Sequence, residues 1–282
     1  MHIVIPIAFL LFPIIVGAQP ASKDTTQPPP TPGFTLQNPL NPGTFGTVVV
    51  AIAIQEKTRL ARQADGNAEV YLGLGYPEKS IGGGTTINVH GLTNNKGEKN
   101  NLGEGTASFH LNKLILKNKL LVDAGVDNLF SWGGRKEYRN YITYQKSFYV
   151  AANYFLKIGP HEKHSFSYVS LTAGAGNGYY RKDKDYTPFS SGQLNPFLSA
   201  ATPVFPNTTF IGEWNGYDAG VGLSSFPFKR VPLLFCTSVT DLVYGTPRYI
   251  FSLSLALQFS KHAVYQRDRP LGAKMIRPAR TI

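Results

Sequence analysis

The sequence predicts an all-β protein, an antiparallel up-and-down transmembrane β-barrel of about 12 strands over residues 45–259. Hydrophobic residues alternate with a period of two along most of this region, as in strands with one buried and one exposed face. The connections between these segments alternate between short and long. Charged residues make up only 16% of the chain, against about 25% in average soluble domains, which fits a chain with many apolar rows and few charged surfaces.

The alternation is clearest over residues 249–259 (YIFSLSLALQF), where the odd positions are apolar and the even positions mostly small or polar. A soluble β-sandwich, the alternative, would also alternate. Its outer face usually carries Lys, Glu and Thr, whereas the second face here carries mainly Gly, Ser, Ala, Asn and a few carboxylates. Such residues suit the crowded lumen of a closed barrel whose apolar face meets lipid, with aromatic residues at the strand ends as interface girdles.

We predict strands at 45–54, 68–76, 84–91, 106–116, 119–127, 142–157, 164–174, 196–203, 209–215, 217–225, 232–242 and 248–259. The connections after even-numbered strands are short, and those after the first, third, fifth and seventh are long and polar. Outer-membrane barrels have this arrangement, with short periplasmic turns and long outer loops. Asn215-Gly216 between strands 9 and 10 predicts a two-residue type I′ turn.

The two ends of the chain are predicted to lie outside the barrel. Residues 3–16 form an apolar run that is too short for a spanning helix, and a small-residue cleavage pattern follows it. We therefore expect a signal peptide at 1–18, cleaved after Ala18, and export of the protein. Residues 19–44 are rich in proline and predict a periplasmic spacer. Residues 260–282 form a basic C-terminal tail, and an even strand number places both extensions in the periplasm.

The tail carries almost half of the net charge of +11, because six basic residues against Asp268 give it +5. We expect it to contact an anionic periplasmic partner or to fold back and plug the pore, and an unstructured end is the alternative. Export argues against nucleic acid as a partner. The candidate contact residues of the tail are Arg267, Arg269, Lys274, Arg277 and Arg280.

Five carboxylates fall on predicted inward rows or at their ends, and these are Glu213, Asp218, Asp123, Asp127 and Glu69. They are candidates for lining a pore and contacting cations. The alternative is that they hydrogen-bond to neighbours in a packed lumen. Glu213 and Asp218 flank the predicted turn and would lie almost opposite each other, where they could hold a divalent cation, share a proton or face water.

The sequence gives no sign of an enzyme, a cofactor or a bound metal. One cysteine excludes an intramolecular disulfide and a cysteine-based zinc site. His161 and His164 share a short turn without a third ligand of fixed geometry. His110 lies on an inward row, which does not suit a hydrolase that acts at the lipid face.

A hairpin and its flanks show a resemblance. The stretch 210–224 (FIGEWNGYDAGVGLS), with Pro227-Phe228 and 239–242 (VTDL), resembles uncharacterised bacterial outer-membrane β-barrel proteins that share an E-W-x-G-x-D-x-x-x-G hairpin and a final strand ending in Phe. The resemblance implies a barrel and an outer-membrane location, and it brings no activity or catalytic residues. Here 23 residues follow Phe259, whereas such barrels commonly end at the terminal Phe.

The expected function is a narrow porin-like channel for small solutes in the bacterial outer membrane, in contact with its lipids. Two alternatives remain. One is a barrel that does not transport and instead scaffolds partners in the envelope. The other is an exported soluble β-sandwich that binds glycans through Trp132, Trp214 and tyrosines.

Overall fold

The computed structural model describes residues 33–40, 43–59, 64–92, 104–116, 119–133, 145–158, 165–181, 192–228 and 231–259. The predicted signal peptide, the first part of the spacer, the basic tail with its five candidate residues, and His161 and His164 lie outside these ranges. The strands are β1 (Thr47–Gln55), β2 (Asp65–Gly75), β3 (Gly82–Val89), β4 (Gly105–Ile115), β5 (Leu120–Trp132), β6 (Ser147–Lys157), β7 (Tyr168–Gly176), β8 (Asn195–Phe205), β9 (Thr208–Trp214), β10 (Ala219–Ser225), β11 (Leu233–Thr240) and β12 (Arg248–Gln258).

The twelve strands form one closed barrel in which each strand pairs antiparallel with its neighbours in sequence. The ring closes between β1 and β12, with Thr47 opposite Gln258 and Gln55 opposite Ile250. A sandwich has two separate sheets, so this single closed sheet shows that the β-sandwich alternative is wrong. The predicted up-and-down barrel of twelve strands is confirmed.

The predicted division into inward and outward rows is also confirmed. On β1, Val50, Ile52 and Ile54 point outward and are 45%, 49% and 56% exposed. On β5, the inward Leu121 and Asp123 are almost completely buried. The outer face is therefore apolar and exposed, and the inner face is packed.

The barrel has two distinct ends. We call the end that holds the connections after odd-numbered strands the loop end, and the opposite end the turn end. Thr47 at the start of β1 lies at the turn end, as does the last residue of β12. A 3-10 helix, Gly178–Tyr180, follows β7 at the loop end. No helix among the described residues is long and apolar enough to cross a membrane.

Two predicted boundaries differ from the observed ones by five residues. The fifth strand was expected to end at residue 127 but continues to Trp132, because a register shift between β4 and β5 lets the pairing resume with Ala107 opposite Phe130. Asn128 adopts a φ of 55° at this irregularity, and Ser108 accepts a hydrogen bond from its backbone N–H. The sixth strand was expected from 142 but starts at Ser147.

The turn between β9 and β10 also differs from the prediction. A type I′ turn at Asn215-Gly216 needs a positive φ at both residues, and only Gly216 has one, at 95°. Asn215 instead accepts hydrogen bonds at its Oδ1 from the N–H groups of Tyr217 and Asp218. The central pair is therefore Gly216-Tyr217, and the register moves so that Glu213 faces Gly220 rather than Asp218.

Candidate functional site

The lumen contains part of the predicted spacer. Residues 33–40, together with Gly43 and Thr44, form what we call the lumenal segment, which contacts inward-facing side chains of the wall. The expectation that this stretch lies outside the barrel in the periplasm is therefore wrong for these residues. Its contacts include residues that lie up to 191 positions later in the chain, such as Ser224 and Leu198.

Glu213 on β9 is the centre of these contacts. One oxygen of its carboxylate accepts a hydrogen bond from the N–H of Leu36 at 2.8 Å, and the other accepts from Gln37 at 2.6 Å and Asn38 at 3.1 Å. Ser199 donates a fourth bond at 3.0 Å. Successive backbone N–H groups that converge in this way form an anion-binding concavity. The buried charge of Glu213 is thus balanced by the lumenal segment itself.

The tip of the lumenal segment, residues 36–38, also makes hydrogen bonds through its side chains. The amide nitrogen of Asn38 donates to the carbonyl of Trp214 at 3.1 Å and to the hydroxyl of Ser199 at 2.8 Å. The side-chain oxygen of Gln37 accepts from Asn215 at 2.6 Å and from the Tyr217 hydroxyl at 3.1 Å. The tip therefore bonds to the β9–β10 turn at the loop end.

Phe34 lies in the first limb of the segment, residues 33–35. It packs against the wall near the turn end. Its ring meets Phe155 and Tyr168 edge to face, with centroids 6.4 Å and 6.0 Å away. It belongs to a buried cluster with Ala201 and Ile211. Burying a side chain of this size stabilises the docked segment by about 2 kcal/mol.

The second limb of the segment, Gly43 and Thr44, lies against the opposite wall. Gly43 passes so close to Tyr71 that a β carbon at this position would collide with the tyrosine ring. The carbonyl of Gly43 accepts a bond from Asn112 at 3.3 Å. The backbone of Thr44 lies against Gly73, and a β carbon at Gly73 would collide with it. The chain then enters β1.

Beneath this limb the wall carries a hydrogen-bonded row of Tyr71, His110 and Asp123. The Tyr71 hydroxyl lies 3.0 Å from Nε2 of His110, and Nδ1 of His110 lies 3.0 Å from Oδ1 of Asp123. Asp123 and His110 are almost completely buried and point into the barrel. A buried carboxylate needs such partners, and Asp123 obtains one from the wall.

The Tyr71 hydroxyl gives a measurable test of this row. We expect Tyr71→Phe to lower the free energy of unfolding by about 1 kcal/mol, because a buried histidine nitrogen loses its partner. The measurement is the urea midpoint of the heat-modifiable folded band in detergent micelles. Tyr154→Phe, on the outward row of β6, is the matched control and should leave the midpoint unchanged. Equal midpoints for both variants would contradict the assigned role of the row.

Asp127 and Glu69 lie elsewhere on the lumen face. Asp127 accepts a bond from the Tyr180 hydroxyl at 2.9 Å, so the 3-10 helix after β7 folds inward and partners it. Glu69 is partly buried on β2, opposite Asn88 of β3. Neither of them meets Glu213, and the described residues contain no group of three or more His, Cys, Asp or Glu side chains that could hold a metal ion.

Asp218 has a second set of backbone donors. Its carboxylate accepts hydrogen bonds from the N–H groups of Ala219 at 2.6 Å, Val243 at 2.8 Å, Tyr244 at 2.9 Å and Gly245 at 2.8 Å. It therefore fastens the β11–β12 connection to the β9–β10 turn. Since the register has moved, Asp218 and Glu213 do not form the predicted facing pair, and each binds a different backbone segment.

Cationic and aromatic side chains cover the tip at the loop end. The guanidinium of Arg59 lies 3.3 Å from the ring centroid of Tyr217, a cation–π contact. Arg248 pairs with Asp241 at 2.9 Å and donates to Gln55 at 3.0 Å.

Burial raises the pKa of the Tyr217 hydroxyl, which keeps it protonated as a donor to Gln37. Burial also raises the pKa of Asp241, an effect that the charge of Arg248 opposes.

The sequence interpretation missed the lumenal segment, Arg59 and the inward 3-10 helix. The available signal was small: Phe34, Leu36 and Leu40 are apolar residues within a proline-rich stretch. A solvated spacer does not need such residues, and here they pack against the wall.

Comparison with known proteins gives structural likeness only. No known family profile matches the chain, and no curated protein matches it. The KdgM porin shares 8% identity over 75% of this chain and 99% of its own, with a TM-score of 0.44. An outer-membrane channel from Pseudomonas putida F1 shares 12% identity over 76% and 96%, also with a TM-score of 0.44. A triple mutant of the Rhodopseudomonas blastica porin shares 9% over 75% and 98%, with a TM-score of 0.30.

Proposed function

We propose that the protein is a narrow porin-like channel of the bacterial outer membrane that passes small solutes. The observation that carries this proposal is the combination of an exposed apolar outer face with a polar inner face in a closed barrel. Only helices and closed barrels satisfy all backbone groups within lipid. A water-soluble barrel would not expose aliphatic side chains on strand after strand.

The inner wall is polar, which suits a water-filled path once the interior opens, although its polar groups are buried in the structure. Inward positions on several strands carry hydroxyl, amide and carboxylate groups, namely Thr106, Asn112, Asp123, Asn153, Thr172, Ser199, Glu213 and Ser238. Twelve strands enclose a narrow interior once side chains fill it. Any solute that passes must therefore be small.

A specific observation favours the second candidate, a barrel that does not transport. The lumenal segment fills part of the interior and bonds to the wall at both ends of its path. A barrel with a permanently packed interior would act as an anchor for its outer loops. The two candidates differ in one measurable property, which is ion conduction.

Two measurements test the proposal. We expect the protein in the outer-membrane fraction, with a folded band that migrates faster before heating than after it on SDS gels. We also expect discrete current steps when the purified full chain is added to planar bilayers. Recovery in the soluble fraction would end the membrane assignment. Steady absence of current, for the native chain and for a variant without residues 33–44, would favour the scaffold.

A further inference from the structure

We propose that the lumenal segment is a gate that closes the channel from within, and that Glu213 is the latch that holds it closed. This inference rests on the proposed channel function and assigns its regulation to particular residues. When the latch opens, the segment withdraws through the turn end and leaves the Glu213 carboxylate facing the pore.

The described residues of the segment contact two opposite walls of the barrel. Its tip binds Glu213 on β9, and its second limb contacts Tyr71 on β2 and Asn112 on β4, the two neighbours of β3. In the closed ring, β3 and β9 are six strands apart in either direction. The walls at β3 and β9 are therefore opposite each other, and the described residues of the segment contact both sides of the lumen.

The barrel does not need the segment for its closure. The β1–β12 pairing runs over the full length of β1, from Thr47 to Gln55, and the segment ends before it. Withdrawal therefore breaks side-chain contacts and hydrogen bonds to the lumen wall, but no bond of the barrel ladder. Local openings of this kind cost less than global unfolding.

The position of the segment in the chain allows this movement. It is joined through Phe45 and Gly46 to the first residue of β1 at the turn end, and Gly33 at its other end bonds to Ser224, which is close to the turn end of β10. Both limbs therefore run toward the same mouth. The segment can move out through this mouth by pivoting at its connection to β1, which separates Gly33 from Ser224 while the chain remains continuous.

Glu213 has the geometry of a latch. Both oxygens of a single carboxylate bind the N–H groups of three successive residues at the tip. Hydrogen bonds to an ionised acceptor are about twice as strong as neutral ones. Removing one charge therefore loosens the whole tip. The predicted contact of Glu213 with cations stays a prediction, and it applies to the open state, in which these donors have left.

Gly33 and Ser224 offer a way to lock the gate. A β carbon built at Gly33 lies 3.8 Å from the β carbon of Ser224, which is close to the mean separation of about 3.8 Å in disulfides. The test protein is the full chain with Cys236→Ser, Gly33→Cys and Ser224→Cys, reconstituted in planar bilayers. We expect no current steps after oxidation and restored steps after reduction with dithiothreitol. The two single-cysteine variants should conduct equally under both conditions.

The latch is tested in the same bilayers with Glu213→Gln. We expect its open probability to rise about tenfold or more, because three charge-assisted bonds to the tip are weakened. Glu56→Gln, at an exposed carboxylate beside Lys57 at the loop end, is the matched control and should conduct like the native chain. A variant without residues 33–44, checked for folding by heat-modifiable migration, should be open continuously.

The outcomes separate the gate from the channel. If the deletion variant conducts but oxidation of the cysteine pair leaves the current unchanged, the gate is refuted and the channel stands. If the deletion variant is folded and silent, the channel function is refuted, and the gate with it. An unchanged open probability in Glu213→Gln, in a protein that the disulfide does silence, would remove the latch role from Glu213.

Discussion

Asp218→Ala is expected to lower the free energy of unfolding by about 2 kcal/mol, because four part-buried backbone N–H groups lose a charged acceptor at once. The carboxylate accepts bonds from Val243, Tyr244 and Gly245, three successive residues of the β11–β12 connection. No water replaces it easily, since Asp218 is only 2% exposed. The effects of the individual bonds are not additive, and so the figure is below their sum.

The measurement is urea unfolding in detergent micelles, followed by the fraction of the heat-modifiable folded band. Asp218→Asn is the graded control, because an amide keeps one acceptor oxygen but loses the charge and turns a donor toward the N–H groups. It should fall between the alanine variant and the native chain. Glu56→Ala, at an exposed side chain, should have no effect. A native midpoint for Asp218→Ala would show that the connection is held by other contacts.

The barrel could be predicted from the sequence because its signal is local. A strand that spans lipid must alternate apolar and small or polar residues along its own length, and residues 249–259 do so without interruption. An even number of up-and-down strands also makes the first and last strands antiparallel, as the closing pair β1 and β12 requires. Strand boundaries were less certain, as the register shift beside Asn128 shows, because such an irregularity depends on the partner strand.

The occupied lumen could not be predicted because its contacts are distant in sequence and have no period. Leu36 binds Glu213 across 177 positions, and a row of prolines in the same stretch is more typical of an extended spacer. The structure places the five carboxylates on the lumen face or at its rim. Their binding partners could not be predicted, because Glu213 and Asp218 bind backbone N–H groups, which leave no pattern of side chains in the sequence.

The two carboxylates now have separate structural roles, although both bind three successive N–H groups. Asp218 joins two connections at the loop end, and all its partners belong to the barrel. Glu213 joins the barrel to a segment that lies outside the sheet. Loss of Asp218 should therefore lower stability, whereas loss of Glu213 should mainly alter conduction. Substitution of the two acidic residues is thus expected to affect two different properties, stability for Asp218 and channel opening for Glu213.

Gly174→Val is expected to lower the free energy of unfolding by about 3 kcal/mol, at the upper end of the cost of overpacking a dense interior. A β carbon at Gly174 would collide with the ring of Phe197 and would lie 2.5 Å from the carbonyl oxygen of Val150. Phe197 is fully buried and packs on Tyr180, with ring centroids 5.1 Å apart. The ring cannot move without disturbing the inward 3-10 helix, and the carbonyl belongs to the β6–β7 ladder.

A second glycine provides the control for this steric argument. Gly212 lies on β9, and no atom lies within 4 Å of a β carbon built there, so Gly212→Ala should leave the urea midpoint unchanged. Since the clash at Gly174 has two sources, the double variant Gly174→Val with Phe197→Leu should regain part of the loss but not all of it. Full recovery would assign the strain to the ring alone. No recovery would assign it to the carbonyl of Val150, and a native midpoint for Gly174→Val would contradict close packing of this wall altogether.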